Sequence, residues 1–386
     1  MQKNFVYIVL WEVAIFLMTF MKISHINMGV NSLHIIFITK AKRGFIMKWY
    51  KSIVMAILVL FILAACSSNG DDLADGDGGE SYEWSVGFNT VEDSIRGEAA
   101  KEFKRILEEK SDGNITIELF PNEELGTDNE MVESVQVGAL DFQLSSSGVL
   151  AEIMPEFSAT DLPFVFEDAD EAHAALDDSY GELLKEKTSE EGMKMLNTFS
   201  IGFSQITTNK NPINSPDDMQ GMSIRSPNEP VPLDTFETLG SQVSTIPFTE
   251  VYLGLQQGTV DGQFNPLTAI KDSNFHEVQD YLAMTDIIFY HAPFIMNQNL
   301  WDGLDEETQA LVQKAADEAT EVAREFEAET EAQVLDEIEG DFEKVTYPDK
   351  EEFQEVVQPV YEKFEDEIGK EIMDDLQSFL EAYRSE

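Results

Sequence analysis

Residues 84–119 read WSVGFNTVEDSIRGEAAKEFKRILEEKSDGNITIEL, an apolar pattern that changes its period twice. The first five residues, 84–88, are typical of a short buried strand. From Ser94 onward apolar residues recur at helical spacing until the turn sequence SDGN at 111–114. Alternating apolar and polar residues at 115–119 then predict a second strand. Strand, helix and strand in this order favour an α/β fold with a mainly parallel sheet.

The alternation of strand and helix continues downstream. A helix is predicted around 131–135 and a strand at 140–144, followed by the run Ser145–Gly148. Open α/β sheets bind ligands at the carboxyl ends of their strands, so this serine run is a candidate ligand contact. The proline-rich segment 209–216 indicates a loop or crossing before a second α/β unit near 221–224.

A long helix is predicted towards the C-terminus. The helical pattern runs from Asp305 to about Leu335 without Gly or Pro. At 1.5 Å per residue this helix would be about 45 Å long, more than the width of one small lobe. We therefore expect two lobes that this helix braces, with amphipathic helices near 350–365 and 370–383 packed against one of them.

The composition predicts a globular, acidic protein. The 386 residues are 43% hydrophobic and 10% aromatic, which is enough for packed cores. The formal net charge is −49, and because residues 1–65 contribute +6, the remainder stands at −55. Such a charge disfavours binding to nucleic acid and is typical of a solvated surface. An anionic ligand would need a local positive charge, so any buried Arg is informative.

The N-terminal region has the layout of a secretion signal. Residues 47–66 read MKWYKSIVMAILVLFILAAC, in which two lysines precede an apolar run at 53–65. The run is too short for a comfortable membrane span. Residues 63–66 resemble the lipobox of bacterial lipoproteins, which implies that Cys66, the only cysteine, carries lipid. A single-pass anchor or a buried cysteine is the alternative.

These patterns divide the chain into consecutive segments. Residues 1–46 are predicted to be an over-extended gene start, with an extra membrane helix as the alternative. The signal peptide and an extracytoplasmic, lipid-anchored location follow, and the acidic, Gly-rich segment after Cys66 predicts a flexible tether. The predicted boundaries are 47–65 for the signal peptide, 66–81 for the tether, 82–202 with 292–330 for lobe I, and 203–291 with 331–386 for lobe II.

Catalytic motifs do not emerge from the sequence. The five histidines do not cluster, and His276 lacks the second histidine that a zinc-binding helix needs. Ser146 is not in a GxSxG elbow. The sequence therefore predicts no enzyme, no cofactor and no metal site, with a surface hydrolase as the rival from another functional class.

Two segments carry a family resemblance, PDDMQGMSIRSP at 216–227 and VYLGLQQGTVDGQFNP at 251–266. With four further blocks in order, the chain from about Trp84 to Phe364 closely resembles the solute-binding proteins of TRAP transporters, the DctP-like family. These blocks are ELGTDNEMVESVQVGALDF (124–142), DLPFVF (161–166), TNKNPI (208–213) and NQNLWDGLDEETQALVQKAA (297–316). The resemblance implies a two-lobed periplasmic-binding-protein fold of type II, a small organic acid as ligand, and TRAP membrane subunits as partners. A receptor of the same fold that serves a sensor kinase or an ATP-driven importer is the alternative.

Arg225 is the candidate anchor for the ligand. It matches the Arg of the family's G-x-x-I-R motif. The resemblance implies that this Arg pairs with the substrate carboxylate. A guanidinium offers a planar fork that satisfies a carboxylate with two charge-assisted hydrogen bonds. Arg225 follows an apolar strand and precedes Pro227, so we expect it at a strand end facing a cleft. The alternative is a surface Arg paired with an acid of the chain itself.

Five further residues are candidates for ligand contact. The resemblance implies that Asn265 hydrogen-bonds the ligand, and that Asn89 and Ser146 line the pocket from the other lobe. For these three, a turn or cap role stays open. Gln263, in the same motif as Asn265, and the aromatic Phe203 complete the predicted site.

Two departures from the family bear on the ligand. Many members place a second Arg where this chain has Ser204, so a second ligand charge would lose its partner. A Glu that helps some members hold a cation is Phe264 here, which makes a bound metal less expected. Together with Phe164, Phe166 and Phe203, these changes favour a monocarboxylate with an apolar portion.

Overall fold

The computed structural model describes residues 81–385, apart from the side chain of Ala332. The predicted signal peptide, the lipid site at Cys66 and nearly all of the tether lie outside these residues. In the described part, strands and helices alternate as the sequence predicts. The strands are β1 (Tyr82–Phe88), β2 (Ile115–Phe120), β3 (Phe142–Leu144), β4 (Met193–Thr208), β5 (Ser223–Ser226), β6 (Gln242–Thr245), β7 (Gly262–Pro266), β8 (Tyr281–Ala283), β9 (Phe289–Asn297) and β10 (Lys344–Thr346).

The strands join in the order β2-β1-β3-β9-β4-β7-β5-β6, and β8 links β4 to β10. The long strand β4 belongs to two halves of this path. Its residues up to Phe203 pair with β9, and from Ser204 it pairs with β7. We call β2, β1, β3, β9 and the start of β4 the first half-sheet, and the end of β4 with β5 to β8 and β10 the second half-sheet. The change of partner falls where the sequence predicts the second lobe to begin.

The sheet is mixed, with five parallel and four antiparallel strand pairs among the described residues. The β1–β2, β1–β3, β5–β6 and β5–β7 pairs are parallel, as βαβ units require. Strands β4 and β9 run antiparallel to each other and to their other neighbours in the path, β7 and β3. The periodicity of a single strand does not reveal which direction its neighbour runs, so the antiparallel pairs of β4 and β9 are not visible in the sequence.

The helices cover both half-sheets. They are α1 (Ile95–Lys110), α2 (Asp128–Gln136), α3 (Ser147–Ala151), α4 (Ser158–Asp161), α5 (Ala169–Asp177), α6 (Ser179–Glu190), α7 (Pro230–Thr238), α8 (Val251–Gln256), α9 (Leu267–Asp272), α10 (Gln298–Gly303), α11 (Glu306–Ile338), α12 (Lys350–Ile368) and α13 (Lys370–Arg384). Short polar side chains fix where several begin: the Ser94 hydroxyl accepts from the backbone N–H of Gly97 at the start of α1, and Thr127 and Glu130 form a capping box on α2.

Helix α11 confirms the predicted brace. Its 33 residues correspond to a length of about 50 Å. It packs on α1 of the first half-sheet, on β4, and on α9 of the second half-sheet. Ala315, Ala316, Ala319 and Ala323 are buried along it. These small side chains allow a helix to lie close to its neighbours.

The last two helices contact elements of both half-sheets. Helix α12 packs against α7, which precedes β6, and against α4, which follows β3. Helix α13 packs against α5, where Arg384 forms an ion pair with the buried Glu171. These contacts place α13 beside elements of the predicted lobe I, whereas the sequence-based boundaries group residues 331–386 with lobe II. The division into lobes at those boundaries stays a prediction.

Candidate ligand-binding site

A cavity of about 440 Å³ is lined by residues of both half-sheets. One wall consists of the loop after β1, the start of α1 and residues of α2 and α3. The other wall consists of the segments that follow β5 and β6, together with β7 and α9. Both walls thus include the carboxyl ends of parallel strands, where open α/β sheets bind ligands. The volume lies in the usual range of small-molecule sites.

Arg225 lies in the cavity wall, at the carboxyl end of β5. It is 3% exposed, and its Nε donates to the carbonyl oxygen of Ile246 at 2.9 Å. Its guanidinium carbon lies 5.9 Å from the ring centre of Phe248. Within residues 81–385 its terminal nitrogens have no hydrogen-bond partner and form no ion pair. Burial lowers the pKa of Arg225 to about 10, so the group remains charged at neutral pH.

A second guanidinium, which the sequence patterns did not reveal, lines the same cavity. Arg96 lies on α1 and is 5% exposed. One terminal nitrogen donates to Ser146 Oγ at 3.0 Å and to the Ser145 carbonyl oxygen at 3.3 Å. Burial lowers its pKa, and the charges of Asp128 and Glu229 oppose that shift. The residues on either side, Ile95 and Gly97, are also buried, so the helical pattern of apolar residues does not distinguish Arg96 as a buried side chain.

Asn89 and Ser146 line the cavity from the first half-sheet, as predicted from the sequence. Asn89 Nδ2 donates to Asp128 Oδ2 at 3.3 Å, and its Oδ1 is buried without a hydrogen-bond partner. Ser146 precedes α3 without capping it through its side chain, and instead accepts from Arg96. The Ser146 hydroxyl therefore does not cap helix α3, which was the alternative role for this residue.

Asn265 lies in the wall of the second half-sheet, whereas Gln263 stands behind it. Asn265 Nδ2 donates to Gln263 Oε1 at 2.5 Å. Gln263 Nε2 in turn donates to Thr207 Oγ1 at 2.9 Å, and Gln263 is fully buried. Gln263 is absent from the cavity lining among the described residues. Its geometry is that of a positioning residue, which fixes the amide of Asn265.

Phe203 packs against Phe289, with ring centres 5.2 Å apart, and does not reach the cavity within the described chain. The physical reason is a β-bulge in β4. The register with β9 shifts between Ser200 and Gly202, and Gly202 has a φ of 102°. An extra residue in a strand exchanges the faces of the residues on either side of it. Ile201 is the residue that the bulge leaves without a partner on β9, and its side chain lines the cavity instead.

Two buried carboxyls adjoin the two arginines. The Glu229 carboxyl accepts a hydrogen bond from the Tyr290 hydroxyl at 2.8 Å, and burial raises its pKa to about 7. Asp128 accepts from Gln143 Nε2 at 2.5 Å, and burial raises its pKa as well. The cavity therefore combines two fixed cations with two acids that burial disfavours in their charged form.

Hydrogen bonds join the two half-sheets across the mouth of the cavity. Glu152, just after α3, accepts from Asn129 at 2.8 Å and also from Asn228 on the opposite wall. Glu123 accepts from the Thr249 hydroxyl at 2.5 Å and from the Thr249 backbone N–H at 3.2 Å. These contacts hold the two walls together, which is the arrangement expected of a closed form.

Two other kinds of feature are absent from residues 81–385. No group of three or more His, Cys, Asp or Glu side chains in that range is arranged to hold a metal ion. No helix in that range combines the length and apolarity needed to cross a membrane.

The sequence of this chain matches a known family. Residues 86–367 fit the DctP family, described as bacterial extracellular solute-binding protein, family 7. The 2,3-diketo-L-gulonate-binding periplasmic protein YiaO of Escherichia coli is 31% identical over 272 residues, which cover 70% of this chain and 83% of that protein. The sialic acid-binding periplasmic protein SiaP of Vibrio cholerae is 31% identical over 331 residues, covering 86% of this chain and 99% of its own.

Solved structures have the same architecture. A TRAP periplasmic solute-binding protein of Polaromonas sp. JS666, bound to D-erythronate, superposes with a TM-score of 0.74 at 32% identity. The similarity covers 77% of this chain and 98% of that protein.

Proposed function

Because this chain belongs to the DctP family of bacterial extracellular solute-binding proteins, we propose that it captures a small organic acid between its half-sheets and delivers it to a TRAP-type secondary transporter. The proposal depends above all on Arg225. This buried guanidinium lines the cavity, and in residues 81–385 no acid pairs with it. An unpaired buried charge is costly, so a partner of opposite charge is expected from the ligand.

The surroundings of Arg225 suit a carboxylate. Its Nε is already occupied by the Ile246 carbonyl, which holds the guanidinium in place and leaves the terminal nitrogens for two parallel hydrogen bonds. The amide of Asn265, fixed by Gln263, lies in the same wall. The relatives named above bind diketogulonate, sialic acid and erythronate, all organic acids.

Closure of the two walls provides the mechanism. An open form admits the anion, and Arg225 fixes its carboxylate. The bonds of Glu152 and Glu123 then join the walls and exclude water, which strengthens the ion pair in a medium of lower dielectric constant. Strand β4 and helix α11 continue from one half-sheet to the other and are the elements about which the walls move.

We further propose that the mature protein begins at Cys66 and is held to the outer face of the cell membrane by lipid on that residue. Support comes from the LAAC sequence at 63–66 and the apolar run before it. Replacing Cys66 with Ser should release the protein from the membrane fraction. A Cys66→Ser protein that stays in the membrane fraction would contradict the anchor without affecting the ligand proposal.

A thermal-shift screen of organic acids, followed by mass spectrometry of ligand co-purified with the protein, tests the binding function. A ligand that binds only the folded state raises the melting temperature in a concentration-dependent manner. We expect stabilisation by at least one carboxylate, with recovery of the ligand unchanged after incubation. Absence of any stabilising carboxylate, or conversion of the ligand to a product, would contradict the proposal.

A further inference from the structure

The function proposed above gives no role to Arg96. Its Nε is buried without a hydrogen-bond partner. Its other contacts, with Ser145 and Ser146, use a single terminal nitrogen. Among the residues that the structure describes, Arg96 forms no ion pair. It thus resembles Arg225 in being a buried cation on the cavity wall, but it belongs to the other half-sheet.

The nearby acids do not serve as its partners. Asp128 and Glu229 are the carboxyls with the largest electrostatic effect on Arg96. Asp128 is held by Gln143 and Asn89, and Glu229 by the Tyr290 hydroxyl at 2.8 Å. Turning either carboxyl towards Arg96 would break those hydrogen bonds and leave buried donors unsatisfied. Arg96 therefore has no charged partner among the described residues, and its place on the cavity wall leaves its terminal nitrogens to meet a group of the ligand.

The chemistry around Arg96 restricts what that partner can be. An alkyl group would leave the guanidinium unsatisfied. A second carboxylate would place negative charge beside the buried carboxyls of Asp128 and Glu229, and like charges repel. A hydroxyl group has two acceptor lone pairs and one donor, so it accepts from a guanidinium and donates to a neighbouring carboxyl at the same time.

We propose that Arg96 is a specificity-determining residue that selects a hydroxycarboxylate. Arg225 holds the carboxylate from the second half-sheet, and Arg96 takes a hydroxyl of the same molecule from the first, with Asp128 and Glu229 as acceptors beside it. The inference rests on the proposed function and narrows its ligand class. It replaces the expectation of an apolar monocarboxylate, which followed from Ser204 and the phenylalanines. Ser204 supplies no positive charge, but Arg96 on helix α1 gives the cavity a second cation beside Arg225.

Calorimetric titration with matched acids tests the role of Arg96. One series has four carbons (butyrate, erythronate, succinate), and the other has six (hexanoate, gluconate, adipate). The full chain is compared with Arg96→Met, which keeps the length of the side chain but removes the charge, and with Arg96→Lys, which restores it. Arg105→Met is the matched control, because Arg105 is an exposed residue of the same helix that pairs with Glu102 and Glu109.

We expect the unaltered protein to bind a hydroxy acid at least 30-fold more tightly than the alkanoate of equal length, and more tightly than the diacid. Arg96→Met should reduce the preference at least tenfold, Arg96→Lys should restore part of it, and Arg105→Met should leave it unchanged. If Arg96 only holds the Ser145–Ser146 segment, Arg96→Met will lower thermal stability and keep the ratio of affinities, which overturns the inference.

The unaltered protein provides a second test that does not depend on the folding of a variant. A diacid or an alkanoate that binds as tightly as the hydroxy acid in both series overturns the role of Arg96 but leaves carboxylate capture intact. Failure of every acid to bind counts against the proposed function itself. The two failures are therefore distinguishable.

Discussion

The carboxyl of Glu229 lies directly against Gly148, so closely that a Cβ at Gly148 would come within 2.5 Å of Glu229 Cδ. Glu229 follows β5 on the second half-sheet, and Gly148 belongs to α3 on the first. The two half-sheets therefore meet at a point where one of them has no side chain. A buried acid of one wall and a glycine of the other together define how far the cavity can close.

Gly148→Ala should weaken ligand binding. The added methyl group clashes with Glu229 and holds the walls apart, so we expect the dissociation constant to rise at least tenfold. The matched control is Gly303→Ala, since a Cβ at Gly303 would meet no atom within 4 Å. Calorimetric titration measures both variants, and equal affinities for the two would show that the Glu229–Gly148 contact does not limit closure.

Glu229→Gln should change how stability depends on pH. Burial raises the pKa of Glu229 from 4.5 to about 7, so the folded state holds this proton more tightly than the unfolded state. The protonated Glu229 carboxyl therefore contributes to stability at low pH, and this contribution is lost as the pH rises from about 4.5 through 7. The free energy of unfolding of the unaltered protein should fall across this window by about 3 kcal/mol relative to Glu229→Gln. Urea melts at several pH values measure the difference, and parallel curves for the two proteins would contradict the prediction.

Glu327→Gln should affect stability in the same window but not ligand affinity. Glu327, on α11, accepts from Ser200 at 2.6 Å beside the bulge of β4, and burial raises its pKa to about 7. It is not part of the described cavity lining. Removing its charge should therefore stabilise the protein above pH 7 and leave the dissociation constant within twofold. A larger change in affinity would show that this part of β4 is coupled to ligand binding.

Much of the fold could be predicted from the sequence because local rules determine it. The period of apolar residues marks β1, α1 and β2, and the absence of Gly and Pro marks α11. The position of Arg225 at a strand end follows from the same reasoning. What the sequence could not reveal depends on non-local geometry, such as the direction in which β4 and β9 run.

The structure brings together four of the predicted site residues, and their contact with a ligand stays a prediction. Arg225, Asn265, Asn89 and Ser146 meet in one cavity. Phe203 lies outside the cavity lining because a one-residue bulge exchanges the faces of β4, and a bulge leaves no recognisable mark in the sequence pattern. Arg96 does not stand out in the sequence because the buried face of α1 is assigned from apolar residues alone. A rule that treats every Arg near the start of a buried helix as a candidate, in a chain this acidic, would have found it.

Glu123→Ala should loosen the closed form without disturbing the fold. Its two hydrogen bonds to Thr249 cross the mouth of the cavity. Hydrogen bonds to a charged group contribute on the order of 1.5 kcal/mol, so we expect roughly a tenfold weaker affinity, mainly through faster ligand release. Glu102→Ala, which removes an exposed ion pair on α1, is the control. Stopped-flow release rates compare the two, and equal rates would show that the Glu123 bonds do not hold the ligand in.

The most direct test of the account is calorimetric titration of the co-purified or screened carboxylate into Arg225→Ala, with Arg105→Ala as control. Arg225 is buried in the cavity without an acid partner among residues 81–385, whereas Arg105 pairs with acids on the surface. We predict that Arg225→Ala raises the dissociation constant at least 100-fold and that Arg105→Ala changes it less than twofold. An affinity for Arg225→Ala within threefold of the unaltered protein would contradict the claim that this guanidinium anchors the ligand.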